Sequence, residues 1–77
     1  MEGQTKPAKS AAEITPADDG LHEYRALYIG TAGDIKVDMA EGGTEILFVG
    51  VEAGIFPISV RRVYDTDTTA DDIVGLN

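Results

Sequence analysis

From Leu21 to the last residue, apolar and polar positions alternate with a period of two, the spacing of strands whose side chains point to opposite faces. Over Glu23–Ile29 this sets Tyr24, Ala26 and Tyr28 on one face and Arg25, Leu27 and Ile29 on the other. Both faces carry apolar groups, so this strand is expected centrally in a sheet or at an interface. Asp34–Ala40 alternates more cleanly, with Ile35, Val37 and Met39 inward and Lys36 and Asp38 outward, the pattern of a half-buried antiparallel strand. Thr44–Val51 holds the most apolar run, Ile46-Leu47-Phe48-Val49, and its β-branched content predicts a core strand. Ile55–Tyr64 reads as one further strand, with Phe56, Ile58 and Val60 on one face and Pro57, Ser59 and Arg61 on the other. Pro57 cannot donate to a ladder, so it belongs near that strand's start or on an edge. Ile73–Leu76 predicts a short closing strand.

The segments between are turn-formers. Gly30-Thr31-Ala32-Gly33 predicts a hairpin turn with two glycines free to take positive φ, and the chain is expected to turn again at Glu41-Gly42-Gly43 and at Glu52-Ala53-Gly54. Asp65–Ala70 is a turn rich in Asp and Thr. Five or six short strands at this spacing give an all-β domain, a small antiparallel sandwich or barrel.

Met1 to Asp19 differs from this body. Apart from Met1, Ile14 is its one large aliphatic side chain, too little apolar surface to offset the entropy of ordering. The segment reads as a flexible arm that orders against a partner, with a short helix over Ala11–Ile14 at most marginal. The division is therefore an arm over residues 1–19 and a β domain over 20–77.

Seventy-seven residues make one domain, and so small a core leaves stability marginal unless something staples it. Cysteine is absent and His22 is the single histidine, which removes disulfides, thiolate zinc and histidine-built metal sites. Self-association or docking on a larger partner is the remaining support. Fourteen acidic residues against six basic ones give a net charge of −8, which argues against nucleic acid and against an anionic membrane surface. No apolar run approaches the roughly 20 residues that span a bilayer. No apolar core of a signal peptide is found at the N-terminus.

The sequence is poor in candidate chemistry. The run Asp65–Asp72 offers carboxylates, but Ala70 and Leu76 stand where a calcium-binding loop needs glycine and glutamate, so a solvated turn is expected. Gly30–Gly33 lacks the longer pattern, lysine and helix of a phosphate loop. His22 has no nucleophile in a recognisable setting and is expected at the surface. No catalytic residue, metal site or cofactor is assigned. Arg61-Arg62 is notable in an acidic chain: strand neighbours point oppositely, so one is expected to pair with a carboxylate such as Asp38 or Glu45 and the other to face a partner. Arg61 is assigned the partner side, because Arg62 shares the face of Phe56, Ile58 and Val60. Tyr24, Tyr28 and Tyr64 have the rigid apolar body and polar tip of interface anchors, or else cap the core. The candidate interface is Tyr24, Arg25, Tyr28, Arg61 and Tyr64.

Four strings carry a resemblance: RALYIGTAGDIKV over Arg25–Val37, GGTEILFVGVEAG over Gly42–Gly54, FPISVRRV over Phe56–Val63 and DTTADDIVGLN over Asp67–Asn77. In order and spacing they resemble the spike base proteins of alphaproteobacterial phages, prophages and gene transfer agents. Met1–Asp19 has no counterpart there, and the ending Gly75-Leu76-Asn77 is less apolar than the family's. The resemblance implies a non-enzymatic virion protein on the capsid surface, made in the bacterial cytoplasm. It also implies partnership with the major capsid protein, with copies of itself and with a head fibre protein, as a spike base, decoration or cement protein. Two alternatives are a tail or baseplate component and a small carbohydrate-binding module, the latter weakened by the absence of tryptophan.

Overall fold

In the computed structural model, which describes residues 7–77, the chain forms seven strands: β1 (Ala11–Glu13), β2 (Ala26–Thr31), β3 (Gly33–Met39), β4 (Ile46–Val51), β5 (Gly54–Phe56), β6 (Val60–Val63) and β7 (Asp71–Leu76). They pair antiparallel into a four-stranded sheet, β1-β7-β2-β5, and a three-stranded sheet, β4-β3-β6. The expected all-β fold is the one observed. Alternation decides what fills it: Leu27, Ile29, Ile73 and Ile14 come from the first sheet and its flank, Ile35, Val37, Val60 and Val63 from the second, and all are buried in one cluster. Each such side chain contributes about 1.5–3 kcal/mol.

The first turn is corrected. Gly30–Gly33 is not a hairpin, because β2 and β3 lie in different sheets and only Ala32 separates them. Its glycines are needed for close approach rather than positive φ: a Cβ on Gly33 would lie 2.6 Å from the Ala70 nitrogen. The expected strand Ile55–Tyr64 is likewise two strands, β5 in one sheet and β6 in the other, with exposed Pro57 in the crossing where no ladder asks for its missing N–H.

The expected core strand Thr44–Val51 lies at an edge. β4 pairs only with β3, and Ile46, Leu47 and Val49 are all exposed; Phe48 is half-buried in an edge-to-face contact with Phe56 at 5.2 Å. Apolar content alone cannot distinguish a buried strand from one awaiting a partner. A register shift at this edge coincides with Gly50, whose φ of 70° suits glycine and whose amide donates to Asp34 Oδ1.

The first six residues of the expected arm lie outside the described residues. Residues 7–19 run along the β domain in this structure. Ala11–Glu13 is a strand on β7 rather than a helical turn, the Ile14 amide donates to the Ile73 carbonyl, and the Ile14 side chain is buried. One aliphatic residue suffices because neighbouring β7 supplies the backbone partners. Asp18 then accepts hydrogen bonds from the Asp65 and Thr66 amides and the Thr66 hydroxyl, tying this segment to the turn after β6.

Candidate assembly interface

A β-bulge puts the two arginines on one carboxylate. Between β3 and β6 the register slips at Asp38/Met39, so that Val60 and Val63 both face the core and Arg61 and Arg62 turn the same way. Arg62 Nη1 lies 3.2 Å and Arg61 Nη2 4.0 Å from Asp38 Oδ2. This corrects two expectations: strand neighbours do not always diverge, and Asp38 is fully buried rather than outward. The cover comes from Tyr64 and from Arg62, which also donates from Nε to the Gly20 carbonyl.

Asp38 Oδ1 accepts from the Tyr64 hydroxyl at 2.9 Å and from the Glu45 amide at 2.8 Å. Burial pushes its carboxyl upward, but the Glu45 amide, the Tyr64 hydroxyl and the two guanidinium groups outweigh that and hold it below the usual 3.8. The Tyr64 ring also lies 5.4 Å from the Lys36 ammonium and 5.8 Å from the Arg62 guanidinium. Among the described residues no buried side-chain polar atom lacks a partner. The network is saturated and joins β3, β6 and the turn before β4.

His22 is half-buried rather than at the surface, and works in the same way. Its Nδ1 accepts from the Val63 amide, which makes Nε2 the donor to the Thr15 carbonyl. In the Asp65–Asp72 run, the hydroxyl oxygens of Thr69 and Thr68 accept from the Asp34 and Lys36 amides, stitching the turn along β3. No group of three metal-ligating side chains occurs among the described residues, and no helix is long and apolar enough to cross a membrane.

Of the five candidate interface residues, Tyr24, Arg25 and Arg61 come together. They line an open groove of about 500 Å³ at the start of β2 and β6, with Glu23 and Ala40. Tyr28 is elsewhere, on the outer face of the four-stranded sheet, and Tyr64 is buried at Asp38.

Tyr28 marks a surface that individual residues did not reveal. It sits opposite Ile55 on β5 and Val74 on β7, and Ala26 sits opposite Leu76, so all five share the outer face. Ile55 is 62% and Tyr28 43% exposed. Ala26, Val74 and Leu76 are half-buried between them. The signal of this face was the apolar content on both faces of Glu23–Ile29. Exposed Val49 and Ile55 flank the β4–β5 corner, which also carries Glu52; these residues escaped sequence reading because Ile46–Val49 resembles core.

Comparison with known proteins gives one strong likeness. No family model matches the chain and no curated relative matches it. A solved chain from the capsid of a native GTA (gene transfer agent) particle, computed with C5 symmetry, superposes with a TM-score of 0.80 at 32% identity. The match covers 94% of this chain and 86% of that one. It is longer than the stretch from Gly20 onward, so the first segment, for which the sequence strings offered no counterpart, is partly matched as well.

Proposed function

This chain belongs to the same family as that gene transfer agent capsid chain, and on that premise we propose that it is a structural protein of the virion, bound to the capsid. It acts by assembly and not by catalysis. The near-complete match in both directions is the observation that carries this reading, since it equates whole domains rather than a shared motif.

The physical features agree with such a role. An 8.2 kDa domain has little core of its own, and its two-row apolar face gains stability by being covered. Its surface charge keeps it soluble before assembly. Within this reading it sits on the outside of the shell as a symmetric oligomer, as a spike base or decoration protein. Its partners are the major capsid protein, further copies of itself and a head fibre.

The test is co-sedimentation of the purified chain with shells of the cognate particle. Saturable pelleting at a stoichiometry fixed by the lattice supports the proposal. A count matching the vertices identifies a spike base, and one matching the capsomers a shell-wide decoration. A chain that stays in the supernatant contradicts it.

A further inference from the structure

The two ends of β2 present complementary surfaces. At its start, the groove gathers Tyr24 with two of the chain's six basic residues, Arg25 and Arg61, against one acidic side chain, Glu23. Arg61 is about half exposed (51%), and Arg25 is exposed, its guanidinium reaching the Pro7 carbonyl. The opposite end is the β4–β5 corner, where Ile55 is 62% exposed and Glu52, in the turn before it, is exposed as well.

Register fixes this opposition. Gly54 of the corner pairs with Ile29, five residues along from Tyr24, which separates the two surfaces by about 17 Å of extended chain. On the other sheet Val51 of the corner pairs with Gly33 at one end of β3, while Ala40 lines the groove beyond the other end. One pole is thus a groove that carries two arginines, the other an exposed corner that carries an aliphatic side chain and a carboxylate.

We propose that the β4–β5 corner of one copy seats in the Tyr24–Arg25–Arg61 groove of the next, joining copies head to tail. Ile55 meets the Tyr24 ring, and Glu52 meets the arginines. The occupant is a second copy because this chain itself supplies the matching charge and apolar surface at its far end. Two different patches at opposite poles make a heterologous contact, which closes into a ring where the rotation between copies permits and otherwise continues as a filament. The inference rests on the reading of the protein as a symmetric assembly and names the surface that makes it.

The experiment is sedimentation of the full chain in four forms: wild type, Arg25→Glu, Glu52→Arg, and the two changes together. The wild type forms a defined oligomer, each single reversal weakens association roughly tenfold or more, and the double reversal restores most of it. Restoration is the decisive readout, because damage to the fold would accumulate rather than cancel. Arg61→Gln, compared at equal melting temperature, gives a second groove variant that weakens association. A monomeric wild type, single reversals without effect, or a double variant as weak as the singles each overturn the proposal. Shell co-sedimentation in parallel separates the failures. Shell binding with no head-to-tail association overturns this contact alone, whereas absence of shell binding counts against the virion reading.

Discussion

The ring of Tyr24 lies on Gly75: a Cβ added to that glycine would stand 2.4 Å from the ring's Cγ and Cδ2. Leu27 sits opposite Gly75 across the sheet, so the missing side chain makes room at the core's edge for a ring that also lines the groove. The unusual ending Gly75-Leu76 is therefore a packing requirement. Gly75→Ala should lower stability by about 1–3 kcal/mol through overpacking. In combination with Tyr24→Ala it should cost less than the sum of the single changes, which a double-mutant cycle by chemical denaturation measures.

Core depth separates residues of similar character. Leu27→Ala should cost about 2–5 kcal/mol, since the side chain is fully buried between Phe56 and Gly75. Phe48→Ala should cost less than a fully buried phenylalanine, about 2–3 kcal/mol, because only its contact with Phe56 and one face are lost. Val49→Ala should stay within about 0.5 kcal/mol in the isolated protein. Equal losses for Phe48 and Val49 would show that β4 is in a different register.

Removal of residues 1–19 should destabilise the domain rather than spare it. A chain beginning at Gly20 loses β1 from the sheet edge, the buried Ile14 side chain, and Asp18 from the Asp65–Thr66 turn. Ile14 alone accounts for about 1.5–3 kcal/mol. Thermal melting of the shortened chain measures the loss, and an unchanged melting temperature would return this segment to the status of a dispensable arm.

Acid should unfold the protein through two carboxylates. Burial acts against the Asp38 charge, but the Glu45 amide, Tyr64 and the arginines prevail, and its pKa lies below the ordinary value. The Asp18 pKa is lowered chiefly by the Thr66 hydroxyl and amide. A depressed folded-state pKa stabilises fully above the unfolded value and fades as pH falls through the folded one. Melting temperature should therefore decline below about pH 4. In Asp38→Asn and Asp18→Asn, the deficit against wild type should be present at neutral pH and shrink in acid. A deficit that does not change with pH would contradict the charge assignment.

Much of the fold was legible because alternation is a local signal. Ile35 and Val37, and Leu27 and Ile29, face the core as their spacing requires. The sheet to which each strand belongs is not local: Gly30–Gly33 reads as a hairpin until the close passage of Ala70 is known. Asp38 reads as solvent-facing because its cover comes from Arg62 on β6 and from Tyr64 just past the end of that strand. The shared direction of Arg61 and Arg62 depends on a bulge that neither residue signals. Tyr24, Arg25 and Arg61 meet in one groove, a proximity that the spacing along the chain does not signal, whereas the apolar outer face needs the pairing of Tyr28 with Ile55 and Val74.

A reconstruction of the particle that carries this protein tests the central claim most directly. The account predicts copies of the two-sheet domain at symmetry-related positions on the capsid, with the outer face of Tyr28, Val74 and Ile55 covered. Density for the domain in the tail alone, or particles that lack it altogether, would contradict it.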